Sequence, residues 1–271
     1  MKKNFVAIIL ALFSISCYAN TIEQIISQNE IRIGVRNNYP PFSKFDGHEF
    51  TGFEVEFAKE IAKKIAPNAK ITLVGLNAKD RIPFLNENKI DMAVAQFSVS
   101  PDREKYVDFT MPYFALYKAL VTEKSRNIKA ISQLTGGKIL AIKGTGSRKY
   151  IEKNFNGSIV DCENLLDCFE KLKNNEADGY FHSIFALASI PIIDNKYEIS
   201  VKNAGQTSFV SVGVDKGNES LKAAINRAIL ELSKEGFFKT AYDQTLGVYY
   251  KGTLDKKLFL LDDIYNFFSD N

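Results

Sequence analysis

The chain has 271 residues, 45% hydrophobic and 25% charged, with a formal charge of +3. That length allows a sizeable core and two lobes, and the composition is ordinary for a globular protein. The near-neutral balance and the lack of a basic tract exclude nucleic-acid binding, and no apolar run beyond the N-terminus is long enough to span a bilayer.

Lys2 and Lys3, the apolar run Phe5 to Phe13 and the small-residue zone Ser14 to Ala19 read as a secretory signal cut after Ala19. Removing residues 1–19 removes two lysines and no acid, which brings the formal charge from +3 to +1. Ser14 to Cys17 partly matches a lipobox without its leucine, so a lipid anchor at Cys17 is the alternative to soluble export. Export into oxidising surroundings leaves Cys162 and Cys168 either as a disulfide or as two buried thiols. His48 and His182 lie far from any metal-ligand spacing, so neither a metal nor a cofactor is expected.

Ile31 to Val35 is a predicted strand, and Pro40-Pro41 forces an extended path just past its end. Asp46-Gly47 marks a hairpin turn, and a helix after Gly52 carries Phe53, Phe57, Ile61 and Ile65 on one stripe. Ile71 to Val74 is a strand, and Ala78 to Asn86 a short helix holding Arg81. Met92 to Ala95 is a short continuous apolar run, the pattern of a strand covered on both faces. Gln96, Ser98 and Ser100 follow it, then a helix start at Pro101 and Arg103 one turn in. Hydroxyls, free backbone N–H groups and a guanidinium at a strand end suit a carboxylate.

Lys118 to Thr122 is a further strand, and the polar stretch Glu123 to Lys129 reads as a crossing between lobes. A second set of β/α units follows: the strand Lys138 to Ile142, the loop Lys143-Gly-Thr-Gly-Ser147 and a helix from Arg148, then a short strand from Ser158 and the helix Leu165 to Lys173. Asp178 to His182 is a strand ending at Ser183, and Phe209 to Val214 a strand returning to the first lobe. Asn218 or Ser220 caps a helix that Gly236 stops, and Phe237 to Leu246 forms another. Lys256 to Phe268 has apolar residues at helical spacing and reads as a helix packed on its own lobe.

The pieces Ile33-Gly-Val, Tyr39-Pro-Pro-Phe, Gly52-Phe-Glu-Val-Glu-Phe-Ala, Ile90-Asp-Met, Ser98-Val-Ser-Pro-Asp-Arg103, Asp108-Phe-Thr-Met-Pro-Tyr113 and Gly144-Thr-Gly-Ser occur in an order that resembles the periplasmic solute-binding proteins, family 3. These serve ABC importers of polar amino acids, and the wording here is nearest to the aspartate/glutamate-binding members. The resemblance covers about residues 29 to 248. It implies an α/β, two-lobed, type II periplasmic-binding-protein fold with two crossing hinge strands and a ligand closed into the cleft. The expected division is residues 1–19 signal peptide, 20–120 and 211–248 first lobe, 121–210 second lobe, and 249–271 a C-terminal helical extension.

By the same resemblance, Arg103 clamps an α-carboxylate with help from Ser98, while Thr145, Gly146 and Ser147 offer a helix N-terminus from the other lobe. Gln96 lies beside the clamp, and Tyr39, Phe42 and Phe53 are candidate pocket walls or core residues. Arg36 and Arg81 resemble the basic residues that hold a side-chain carboxylate, which points to an acidic ligand. One position departs from the pattern. Where the family carries an aspartate for the α-ammonium, this chain has Ser183, preceded by His182. The expected function is therefore periplasmic capture of a small anion, aspartate or glutamate first, by a monomer that hands it to an inner-membrane ABC permease. Another polar amino acid, an amine-free dicarboxylate, a link to a chemoreceptor and a cyclohexadienyl-dehydratase-like enzyme are the alternatives. No paired acid and base supports the enzyme.

Overall fold

The computed structural model describes residues 20–205, 207–251 and 254. The expected signal segment, Cys17 and the tail Lys256 to Phe268 lie outside them. Helix α1 (Ile22–Gln28) starts with a capping box, Thr21 Oγ1 accepting from Gln24 N and the Gln24 side chain accepting from Thr21 N. Strand β1 (Glu30–Arg36) buries Ile31, Ile33 and Val35 completely. A small sheet of β2 (Asn38–Tyr39), β3 (Ser43–Phe45) and β4 (Phe50–Thr51) turns near Gly47, whose φ of 104° only glycine adopts freely. Helix α2 (Phe53–Ile65) buries Phe53, Phe57, Ala58 and Ile61 and exposes Glu56 and Lys63.

Strand β5 (Lys70–Leu76), helix α3 (Arg81–Asn86), the short β6 (Met92–Ala93), the single turn α4 (Pro101–Glu104) and the long β7 (Val107–Leu116) follow. Next come β8 (Lys118–Glu123), β9 (Lys138–Ile142), α5 (Gly146–Asn154), β10 (Ser158–Cys162), α6 (Leu165–Lys173) and β11 (Gly179–Ser183). The chain continues through α7 (Ile184–Leu187), α8 (Ile190–Ile193), β12 (Tyr197–Val201), β13 (Ser208–Asp215) and α9 (Glu219–Lys234). Asn218 caps α9 by accepting from Leu221 N, and Gly236, at φ 75°, ends it.

Two five-stranded mixed sheets form, in the orders β5-β1-β6-β13-β7 and β10-β9-β11-β8-β12. In each, three parallel strands are followed by an antiparallel pair. The parallel strands aim their carboxyl ends at the space between the sheets, where open α/β sheets bind ligands. The chain passes between the sheets twice, at Tyr117 and again between β12 and β13.

The structure corrects several expectations. Glu123 to Lys129 is not the crossing: all of Lys118–Glu123 pairs within the second sheet, so the chain has already crossed at Tyr117. The polar stretch forms a 3-10 turn over Lys124–Arg126 instead. Strand β7 had no sequence signal, because Pro112 argues against a strand interior. It is an edge strand, and the β13 register shifts around the Ser211 and Pro112 pair, so the missing N–H is tolerated. The helix expected over Phe237 to Leu246 is α10 (Phe237–Ala241) running into a π turn, Tyr242–Leu246, before α11 (Gly247–Tyr250). In the second lobe Cys162 and Cys168 form a disulfide with Cα atoms 5.3 Å apart.

Candidate functional site

Between the lobes lies a cavity of about 40 Å³. Arg36, Tyr39, Arg81, Gln96, Ser98 and Arg103 line it from the first lobe, and Thr145, Gly146, Ser147, His182 and Ser183 from the second. Of the sequence candidates, Phe42 lies elsewhere, and so does Phe53. It sits in the first-lobe core with ring centroids 6.2 Å from Phe42 and 6.3 Å from Phe57, because position one of α2 faces the sheet. Phe42 belongs to the same core, 5.4 Å from Phe114.

The three arginines are buried but are held differently. Arg81 donates from Nε to Ala78 O at 2.8 Å, and from one terminal nitrogen to Ala95 O at 3.2 Å and Gln96 O at 2.7 Å. Its other terminal nitrogen reaches Gly144 O of the second lobe at 3.0 Å. Arg81 thus spends most of its donors on carbonyls. It stitches α3 to the β6 turn, and that turn to the opposite lobe. Arg103 donates to Ser98 O and Ser98 Oγ, both at 2.6 Å, and to Gly144 O at 2.9 Å. Both guanidiniums lie over the Phe97 ring, at 4.7 and 5.2 Å from its centre. Arg36 stands over Tyr39 at 5.3 Å, and its Nε is buried without a hydrogen-bond partner.

Burial lowers the proton affinity of all three, with Arg81 lowered further by the neighbouring Arg103 and Arg36, and Arg103 brought to about 10. All remain charged at neutral pH. Behind this wall Glu54 is fully buried, its Oε1 accepting from Gln96 N at 2.9 Å, from Gln96 Nε2 at 3.0 Å and from the Tyr113 hydroxyl. Burial raises the Glu54 carboxyl, while Arg36 pulls it down.

Three lining residues were missed: Leu116, Lys118 and Ser208. Leu116 and Ser208 sit at the ends of the crossing strands and give no sequence signal. Lys118 gives one, a single cation opening the apolar run of β8. Its Nζ donates to Ser208 Oγ at 3.0 Å and lies 5.2 Å over Tyr150, and burial lowers its proton affinity. The cavity is therefore ringed by four cations. Among the described residues no aspartate or glutamate lines it, and the arginines in ion pairs are Arg32, Arg126 and Arg148.

The second-lobe wall is neutral apart from Lys118. Thr145 caps α5 by accepting from Arg148 N at 3.1 Å, which leaves the backbone N–H groups of Gly146 and Ser147 at the helix N-terminus. Ser183 caps α7, and its Oγ lies 2.8 Å from the Tyr39 hydroxyl across the cleft. His182 Nδ1 accepts from Ser183 N at 2.7 Å, so the ring proton sits on Nε2. Burial, then Arg36, Arg81 and Lys118, hold the imidazole down to about 3, so it is neutral.

The lobes touch closely. A Cβ on Gly144 would lie 2.9 Å from the Lys79 N and Cα atoms, and one on Gly146 would lie 3.3 Å from Ser98 Oγ. Exposed ion pairs Lys79–Glu163 at 3.0 Å and Lys149–Asp102 at 3.1 Å bridge the rim and add little energy. A larger groove of about 670 Å³ is lined by Leu165, Leu166, Phe169, Ile193 and Val248 among others. It is mainly apolar, and Lys44 is the charged residue along it, whereas convergent polar groups mark the small cavity as the site.

Residues 31–248 match the bacterial extracellular solute-binding proteins, family 3. The chain belongs to that family. The glutamine-binding protein GlnH of an ABC transporter in Bacillus subtilis is 27% identical over 264 residues, covering 89% of this chain and 96% of that protein. ABC transporter arginine-binding protein 1 of Escherichia coli is 26% identical over 250 residues, covering 90% of this chain and 98% of that one. Among solved structures, the solute receptor for L-cysteine of Neisseria gonorrhoeae matches with a TM-score of 0.84 at 28% identity, covering 88% of this chain and 98% of that one. The fold is the two-lobed, type II periplasmic-binding-protein fold.

Proposed function

We propose that this protein is the periplasmic substrate-binding component of an ABC amino-acid-type importer, and that its ligand is a small anion with two acidic groups, aspartate and glutamate included. The observation that carries the reading is the ring of Arg36, Arg81, Arg103 and Lys118 around a cavity that no carboxylate lines among the described residues. Such a ring is costly unless an anion enters it. Arg103, Ser98 and the α5 N-terminus are placed to hold one carboxylate. Arg36 and Lys118 are placed for the second, since Arg81 is largely occupied by carbonyls.

The relatives bear glutamine, arginine and cysteine in their names, so family alone does not select a ligand. The charge ring is what supports an acidic one. Binding works by capture and closure: a ligand touching both walls stabilises the closed lobes by its extra contacts there. Isothermal titration of ligand-stripped, refolded protein tests the reading. Heat from acidic amino acids or dicarboxylates supports it. Heat only from neutral or basic amino acids overturns it.

A further inference from the structure

We infer that the ligand carries no α-ammonium group: it is an amine-free dicarboxylate, plain or hydroxyl-bearing. The inference rests on the anion-binding reading above and narrows it. An ammonium needs acceptors and a nearby negative charge, and among the described residues no carboxylate lines the cavity. Its backbone carbonyls already face guanidiniums, Gly144 O those of Arg81 and Arg103, Gln96 O that of Arg81 and Ser98 O that of Arg103.

Four of the lining hydroxyls are engaged as well, each with one lone pair to spare, and Ser147 Oγ is the uncommitted one. Thr145 Oγ1 accepts from Arg148 N, Ser98 Oγ from Arg103 and Ser208 Oγ from Lys118. Ser183 Oγ accepts from Ala186 N at 3.4 Å, stands 2.8 Å from the Tyr39 hydroxyl and 3.2 Å from His182 Nδ1. The carboxyl group behind the wall, Glu54, turns its Oε1 to Gln96 and Tyr113; its Oε2 is buried without a hydrogen-bond partner, but Glu54 is not a lining residue, and Gln96 stands between it and the cavity.

Three buried side-chain atoms of lining residues have no partner: Arg36 Nε, His182 Nε2 and Gln96 Oε1. The first two are donors, since His182 Nδ1 already accepts from Ser183 N and its Nε2 holds the proton. They call for further acceptor oxygens. Gln96 Oε1 is an acceptor, and a ligand hydroxyl satisfies it without adding positive charge. His182 is neutral throughout the physiological range, so it neither repels nor replaces a countercharge. An α-ammonium would instead sit among four cations, with an amide oxygen and neutral hydroxyls to receive its N–H groups but no lining carboxylate to balance its charge.

The test is titration calorimetry of refolded, ligand-stripped protein against succinate, malate, L-aspartate, L-glutamate, L-glutamine and L-arginine. Succinate or malate should bind at least ~100-fold more tightly than either acidic amino acid, the scale of leaving a buried charge unpaired. If aspartate or glutamate binds as tightly as the dicarboxylates, the inference is overturned and the anion reading stands. If only glutamine or arginine binds, or none of the panel does, both are overturned. The variant Ser183→Asp supplies the missing countercharge and keeps a good helix N-cap, so α7 stays formed. It should weaken succinate binding and strengthen that of L-aspartate, reversing their order. An unchanged order would count against the inference, because the position would then not govern the amine.

Discussion

In the first lobe the end of β1, the start of α3 and the turn α4 bring three guanidiniums to the cavity; in the second, the ends of β9 and β11 bring helix caps, hydroxyls and a neutral imidazole. The two sheets share a strand order, so the difference is one of side chains rather than topology. One wall holds charge that is already buried, and the other closes over it with dipoles. Gly144 O, gripped by Arg81 and Arg103 together, is where the walls join. The lesson is that a cation near a cleft need not be a ligand contact: Arg36 has a donor to spare, whereas Arg81 is mostly consumed in holding the cleft together.

The largest effect should come from Arg103→Ala. Truncating one partner of a buried, hydrogen-bonded charge pair should weaken ligand binding by at least ~100-fold in calorimetry, with the circular-dichroism spectrum unchanged. Retained affinity would move the anion site off the first-lobe wall.

Next, Arg81→Met and Arg36→Met should separate the two arginines. The first strips partners from the carbonyls of Ala78, Ala95, Gln96 and Gly144 and should lower unfolding free energy by about 3 kcal/mol in denaturant melts. The second removes a desolvated cation with an unpartnered Nε, so stability should hold or rise while affinity falls. Equal loss of stability in both would erase the distinction between them.

A smaller effect is expected where the walls meet. Gly144→Ala places a methyl 2.9 Å from the Lys79 backbone at a φ of 72°, so full closure is obstructed. Affinity should fall by roughly tenfold, and small-angle scattering should show less contraction with ligand than in the parent protein.

The mildest test concerns His182, whose folded-state pKa is depressed to about 3 from 6.5. A depressed pKa means that the folded state resists a proton that the unfolded chain accepts. The stability of the neutral form is complete above about 6.5 and is lost as pH falls toward 3, at no more than about 1.4 kcal/mol per pH unit from this group. His182→Gln should flatten that part of the stability–pH curve, as followed by thermal melts. An unchanged slope would show that the second-lobe wall takes up the proton without cost.

Much of this protein was readable from its residues. The alternating Ile31, Ile33 and Val35, the stripe on α2 and the cap at Asn218 are local signals, because period, side-chain volume and capping chemistry act over a few residues. The order of short motifs identified the family, and the motif turns carried Ser98, Arg103, Thr145 and Ser147 to the cavity. What escaped was set by distance in space. Pro112 hid an edge strand, Tyr117 hid the crossing, and Phe53 looked like a wall but packs into the core. Lys118 and Ser208 enter the site because two crossing strands lie side by side, a relation that sequence spacing does not encode. Residue types alone decided that cations and hydroxyls would gather at strand ends. Only the tertiary structure decided which donors remain free, because that depends on which carbonyls the closed lobes bring within reach.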